Sequence, residues 1–467
     1  MGFHRMADVR LILLFVFLFL IGNVIPKAYG LTAEEEKSLG KKIFSEIEQS
    51  GAILNDLILQ GFVDTVGKSL VAEIGPSPFE FKFYLVKSQE PNAFAIPGGY
   101  VFATTGLFVM AENEQEIAGV LSHEIAHVTM RHISRAIDRS KRINIATMAA
   151  MIAGMILAGG GKGSEAIAAT AMATQAALAL KYTRENETDA DQNSLRYLVN
   201  AGYDPSGLVS FMKKISRYSL TASPKVPTYL SSHPAAEDRI SLMENLIQIE
   251  PKKPVPVKTV GNYKWIQTRA FVNEREPHVA VSHFESVVKG NPEDPVGMYG
   301  LGIAYEKMGR LDKSIEVFQK ALSVEPKDPD LLRELGVSYF LSGRLDQSIE
   351  TLEWVRALSR KDDAMALYYL GRAYLEKGDL SKALDLLTKV WKAMPDFPEV
   401  NHSLGSVYGR MGRQGQSHFF FGKYFKLRGD RGSALLHFRT ALETLDRGSP
   451  EREEVQQEIK ELTPGRP

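Results

Sequence analysis

Apolar residues recur along this chain with two different periods, and the places where the period switches divide it. Thr32 to Glu48 and Leu54 to Ile74 repeat apolar positions at three- and four-residue spacing, which predicts two amphipathic helices. Phe79 to Val86 then alternates as a strand does. Asn92 to Ile96 and Tyr100 to Thr104 predict two more strands, with Pro97-Gly98-Gly99 as the turn between them. Helical spacing returns with Ile117, Val120, Leu121, Ile125 and Val128, behind Asn113 as an N-cap and Glu116 three residues on as its capping-box partner. Ile143 to Gly161 carries no charge and reaches the length at which a membrane span is considered. Its large residues Ile145, Met148, Ile152, Met155 and Ile156 nevertheless share one stripe. With the glycines of 159–163 and the Ala-rich stretch Ser164 to Leu180, it predicts a helical hairpin over the neighbouring helices, its tip a place for peripheral membrane or substrate contact. Further helices are predicted up to Ala201, before Gly202, and from Pro205 to Tyr218.

Beyond Pro251, Pro254 and Pro256, which mark a linker over 251–259, the chain repeats itself. Leu301-Gly302-x-x-Tyr305 recurs at Leu335, Leu370 and Leu404, at intervals of 34, 35 and 34 residues, with Gly309, Gly343, Gly378 and Gly412 at the turns. That is the tetratricopeptide period, in which the glycine lets paired helices approach and the aromatic fills the groove. Residues 260–291 and 415–445 read as degenerate first and last repeats. Stacked repeats of this kind form a concave surface suited to binding polypeptide.

Chemistry concentrates at His123-Glu124-Ile125-Ala126-His127. On a helix, His123 and His127 lie one turn apart and can aim their imidazoles at a single Zn²⁺, while Glu124 can reach a water there as general base. A catalytic zinc takes three protein ligands, and a carboxylate on a second helix is a usual third, so Glu187 is the candidate and Asp191, one turn later, the group that accepts the other N–H of a ligating histidine. A charge run is ordinarily a solvated face, and Glu185 and Asp189 are read that way. An edge strand beside such a metal can hold an extended peptide through its backbone, a role assigned to Asn92, Ala93, Phe94, Ala95 and Ile96. A plain core hairpin is the competing reading.

Composition sets limits. The 467 residues predict two domains behind a short leader, and 44% hydrophobic with 24% charged residues is an ordinary globular balance. A formal net charge of zero gives no electrostatic reason to invoke nucleic acid. The absence of cysteine excludes disulfides and thiol-linked lipid. Residues 1–30 read as a signal peptide: Arg5 and Arg10, an apolar run from Leu11 to Ile21, and Ala28-Tyr29-Gly30 as the cleavage site. The mature chain would then start near Leu31 and be exported to the periplasm. An uncleaved anchor is the alternative.

The HExxH helix, the Arg-x-x-Glu-x-x-Ala-Asp pattern ending at Glu187 and Asp191, and Asn92 to Tyr100 together resemble the HtpX-like zinc metallopeptidases over residues 31 to about 250. The resemblance implies one Zn²⁺ per chain held by His123, His127 and Glu187, with Glu124 as catalytic base. With the repeats added, the chain looks like the BepA-type periplasmic branch of that family. That branch carries a His-Pro matched by His233-Pro234, which makes His233 a candidate for the open zinc position and hence a latency switch. Arg239 is implied as a group polarising the scissile carbonyl or binding a carboxylate. The expected architecture is mainly α: a signal peptide (1–30), an α+β zincin-type metallopeptidase domain (31–250) with a small sheet and the HExxH helix, a linker (251–259) and an α-helical repeat solenoid (260–467). The expected function is endoproteolysis of misassembled outer-membrane proteins, with the repeats gripping client polypeptide or the outer-membrane assembly machinery. The alternatives are an assembly chaperone with a latent protease site, or a membrane-embedded peptidase.

Overall fold

The computed structural model describes residues 31–139, 182–221, 228–233, 237–249, 258–359 and 362–463. The predicted signal peptide, the hairpin of 143–180 and most of the linker lie outside the described residues. Among the described residues no helix is long and apolar enough to cross a membrane.

The chain begins with α1 (Ala33–Gln49), closed at its N-terminus by a full capping box between Thr32 and Glu35, and α2 (Leu57–Val71), capped by Asp56. Three short strands follow, β1 (Lys82–Val86), β2 (Ala93–Ile96) and β3 (Tyr100–Thr104), in the order β1-β3-β2. β1 runs parallel to β3, and β2 pairs with it antiparallel with Phe94 opposite Phe102. The turn between β2 and β3 needs left-handed backbone at Gly98 and Gly99, with φ of 88° and 99°. β2 is thus an edge strand. Asn92, included in the predicted strand, precedes it, although its carbonyl still accepts from Thr104 N–H at 3.0 Å.

The short α3 (Thr105–Met110) leads to α4 (Glu114–Thr129), the HExxH helix, and α5 (His132–Arg139). Asn113 Oδ1 accepts from Glu116 N–H as predicted, but the Glu116 side chain does not complete a capping box. Being fully buried, it takes a cation instead, accepting from Lys214 Nζ at 2.8 Å, Ser210 Oγ at 2.7 Å and the Glu112 N–H. The next helices are α6 (Arg184–Ala201), α7 (Ser206–Thr221), α8 (Thr228–Ser232) and α9 (Glu237–Ile249). α4 and α7 meet at Gly119, where a Cβ would fall 2.6 Å from the Leu208 nitrogen, so only glycine fits. Phe62, Leu107, Phe108, Val120, Leu121 and Phe211 form the centre of this core.

The repeat half pairs helices from α10 (Tyr263–Glu274) and α11 (Pro277–Gly290) onward. α12 (Pro295–Lys307) packs with α13 (Leu311–Val324), α14 (Pro329–Leu341) with α15 (Leu345–Leu358), and α16 (Ala364–Lys377) with α17 (Leu380–Ala393). α18 (Pro398–Arg410) and α19 (Gln414–Leu427) follow, then α20 (Arg431–Thr444) and α21 (Pro450–Leu462). The repeated Leu-Gly has a physical cause: a Cβ at Gly302 would lie 2.4 Å from the Phe318 ring. The carbonyls of Gly302, Gly336 and Gly405 accept from Ser314, Ser348 and Ser417, the same bond in three of the four repeats, while the Gly371 repeat has Ala383 at the equivalent position.

The two halves are joined through α10, whose Tyr263, Ile266 and Ala270 belong to the peptidase-side core. Tyr263 donates to the Phe108 carbonyl, and Gln267 to those of Val109 and Ala111. Arg269 ties the two halves together, donating to Asp56 at 2.8 Å and to Glu334 at 2.9 Å with all three residues buried. Burial opposes a charged Asp56, but Arg269 outweighs it and holds the carboxyl below its ordinary value. Leu57 enters the repeat core beside Leu332 and Met365, and farther out Lys82 pairs with Asp396 and Lys41 with Glu461.

Arg269→Ala is expected to cost about 3–5 kcal/mol, because it leaves the buried Asp56 without a charged partner and Glu334 with Arg333 alone. Arg344→Ala, which breaks an exposed pair with Asp312, should cost under about 1 kcal/mol. Urea unfolding of both variants checks this, and a loss at Arg269 no larger than at Arg344 would contradict it. Since the Asp56 pKa is lowered on folding, its contribution is present above the unfolded value of about 3.9 and is lost as pH falls below that.

Candidate metal centre

α4 turns the side chains of His123, Glu124 and His127 to one side, α6 brings Glu187 and Asp191 to face them, and His233 arrives just after α8. All six residues are almost wholly buried. Within this group His123, His127, Glu187 and His233 each offer a ligand atom, all within 4.8 Å of one another. His123 Nε2 lies 3.0 Å from His127 Nε2 and 3.3 Å from His233 Nδ1. Glu187 Oε1 lies 3.1 Å from His233 Nδ1 and 3.5 Å from His127 Nε2.

Donors bound at about 2.0–2.1 Å to a tetrahedral ion stand about 3.3 Å apart, the spacing seen here. Nitrogen and carboxylate lone pairs directed at one another in a dry core repel unless a cation or proton lies between them. The set of three imidazoles and one carboxylate is a borderline donor set that fits zinc.

The surrounding groups orient the donors. His123 Nδ1 is 3.0 Å from Asp191 Oδ1. Arg239, read from sequence as a group for the substrate or a carboxylate, meets carboxylates of the protein itself. It grips both Asp191 oxygens at 2.7 Å and Glu187 Oε2 at 2.5 Å. Burial disfavours a charged His123, yet Asp191 and Glu187 outweigh it and raise its pKa to about 9. Burial, reinforced by His123, drives His127 well below the ordinary imidazole value. Burial opposes the Glu187 charge as well, but His233 and His123 hold its carboxyl well below the carboxylate range. Glu124, pushed up by burial, lies 3.5 Å from His233 Nε2.

The edge strand runs beside Glu124. Because Asn92 pairs with Thr104, Phe94 and Ile96 take the hydrogen-bonded positions opposite Phe102 and Tyr100. The backbone groups of Ala93 and Ala95 therefore point to the free edge, and the Ala95 N–H partly offsets the burial of Glu124.

Three neighbours were not picked out from sequence. Tyr182 stacks on His127 at 3.8 Å, Tyr229 stacks on His233 at 4.9 Å, and His132 Nδ1 lies 3.0 Å from His127 Nδ1. The first two gave no spacing signal. The third sits five residues beyond the motif, where a helix would have turned it away.

A buried HExxH helix, a facing acidic helix and an edge strand beside the glutamate define a zinc-metallopeptidase type of domain. Residues 58–247 match the model of peptidase family M48, a zinc-using metalloprotease family, and 295–328 and 333–393 match tetratricopeptide repeat models. The chain carries an M48 peptidase domain followed by tetratricopeptide repeats. It is 36% identical over 229 residues to a putative beta-barrel assembly-enhancing protease of Vibrio cholerae, covering 48% of this chain and 47% of that protein. The beta-barrel assembly-enhancing proteases of Yersinia pestis and Escherichia coli (strain K12) are 28% and 26% identical over 62% of this chain and 60% of theirs. The chain thus spans less than two thirds of the length of these curated relatives.

Zinc binding is expected to release about one proton at pH 7, since His123 must shed the proton it holds below about 9, and to release progressively less above that. Calorimetric titration in buffers of different ionisation enthalpy measures the number. An enthalpy independent of buffer at pH 7 would rule out a protonated His123 in the metal-free chain.

Proposed function

We propose that the chain is a zinc-dependent endopeptidase whose resting centre is closed by His233. The reading is carried by the convergence of His123, His127, Glu187 and His233 within 4.8 Å, with Glu124 beside them. His123 and His127 would hold the metal with Glu187. Asp191 fixes the ring of His123, and Arg239 fixes the carboxylates of Glu187 and Asp191. Zinc, when bound, supplies a Lewis acid that polarises the scissile carbonyl and acidifies a water.

The other steps belong to the chain. An extended substrate strand pairs with the outward backbone groups of Ala93 and with the Ala95 carbonyl, the Ala95 N–H being taken by Glu124, and this backbone pairing grips peptide without regard to sequence. Glu124 takes the proton of the attacking water and delivers it to the leaving amine. Its raised pKa suits it to both transfers.

His233 is the switch. A catalytic zinc site keeps one position open, whereas four protein donors make a closed one. With its Nδ1 among the donors and its Nε2 facing Glu124, His233 fills the space that water needs. A substrate that binds the His233-displaced form better draws the population toward activity. This closed geometry also favours a second reading, in which the chain acts chiefly as an assembly chaperone through its repeats.

The names of the relatives support a role in β-barrel assembly, and residues 1–30, read as a signal peptide, support the periplasm as its place and outer-membrane β-barrel proteins as its clients. The repeats would grip the client or its assembly machinery. The membrane contact suggested for 143–180 lies outside the described residues.

Purified chain is expected to cleave unfolded outer-membrane protein, to stop with a chelator and to resume with zinc. Persistent cleavage after complete metal removal would overturn the assignment. His123→Ala, His127→Ala and Glu187→Ala should lose zinc, whereas Glu124→Gln should keep it and lose roughly 10²–10⁴-fold in turnover. His233→Ala should keep zinc and raise basal cleavage severalfold. Reduced cleavage with zinc retained would instead make His233 a transition-state group, and unchanged cleavage with zinc retained would leave it without a role in latency.

A further inference from the structure

His132 is a buried group at this centre that the HExxH spacing leaves without a role. We propose that it is a positioning residue, which accepts the Nδ1 proton of His127 and so holds His127 in the tautomer that offers its Nε2 lone pair to the metal. The proposal rests on the metal reading given above.

His127 has two faces. Its Nε2 points into the donor cluster, 3.0 Å from His123 Nε2, and its Nδ1 points away, 3.0 Å from His132 Nδ1. That second distance is a hydrogen bond, so one ring donates and the other accepts. Were His127 the acceptor, its proton would sit on Nε2 and no lone pair would face the cluster. His127 therefore donates, and His132 accepts at Nδ1 and carries its own proton on Nε2. The Tyr182 ring, stacked on His127 at 3.8 Å, opposes rotation into any other arrangement.

The backbone is shaped for this contact. Arg131, between α4 and α5, has φ of 54°, the only positive value for a non-glycine residue among the described residues. This left-handed residue breaks the helix and folds His132 back against His127, where a continuing helix would carry it away. Arg131 is itself fastened, its guanidinium donating to the buried Glu36 of α1 and to the Leu31 carbonyl. A conformation disfavoured for arginine is thus held in place by the first helix of the domain.

The two motif histidines have different supports. His123 faces the carboxylate of Asp191, which pairs with Arg239, whereas His127 faces an imidazole. The centre already contains the carboxylates of Glu124, Glu187 and Asp191 against one guanidinium. An imidazole orients the second ligand without adding a fourth buried negative charge.

The test is zinc affinity of the full chain, measured by competition with a chromophoric chelator. His132→Leu keeps bulk but removes the acceptor and should weaken zinc binding roughly 10–100-fold. His132→Asn places an amide oxygen near the position of Nδ1 and should recover most of that loss. In the unaltered zinc-loaded chain, long-range ¹H–¹⁵N spectra should show His132 protonated on Nε2 alone, a readout that does not depend on either variant folding. Undiminished affinity in His132→Leu, or a proton on His132 Nδ1, would overturn the proposal while leaving the metal reading intact. Failure of the parent chain to bind zinc would remove both.

Discussion

The structure depends on the electrostatic problem at its centre. Three imidazoles and a carboxylate point their lone pairs at one another in a core from which water is excluded, and such a cluster is unstable without positive charge. The surroundings supply it in graded form. Arg239 compensates Asp191 and Glu187, Asp191 raises the basicity of His123, and the remaining space has the donor spacing of a zinc ion. The HExxH helix is held in place by two separate contacts. Gly119 lets α7 lie against α4, and the buried Glu116–Lys214 pair ties the start of α4 to the same helix. Positional accuracy at the centre thus follows from packing on the far side of the HExxH helix.

A second buried ionic group performs a comparable task between the two halves. Arg269 lies on a helix whose apolar face completes the peptidase-side core and whose charged face meets Asp56 and Glu334. The peptidase side and the repeat side are therefore joined by a buried, directional contact.

Much of this was legible in the sequence, and the exceptions share a cause. The HExxH helix, the acidic α6 and the 34-residue repeat are local patterns, each set by helical periodicity within a few turns. Glu187 was reachable because a carboxylate on a second helix is a usual third zinc ligand, and the structure brings it to the two histidines. The partnership of Arg239 with Asp191 was not legible, since it joins positions 48 residues apart and depends on how α9 crosses α6. Arg269 was missed for the same reason, its partners lying on both sides of it in the chain. His132 was hidden by a backbone exception, because helical spacing places it away from His127 and only the left-handed Arg131 returns it. Glu116 shows the opposite case: the local rule predicted a capping box, and the need of a buried carboxylate for Lys214 prevailed.

The central claim is that the resting centre is a zinc ion closed by four protein donors, with His233 as the fourth. X-ray absorption at the zinc edge of the intact chain tests it most directly, since the outer-shell scattering of imidazole counts histidine ligands. The account predicts four light donors at about 2.0–2.1 Å, three of them imidazoles. A centre with two imidazoles and a water in the resting chain would contradict it.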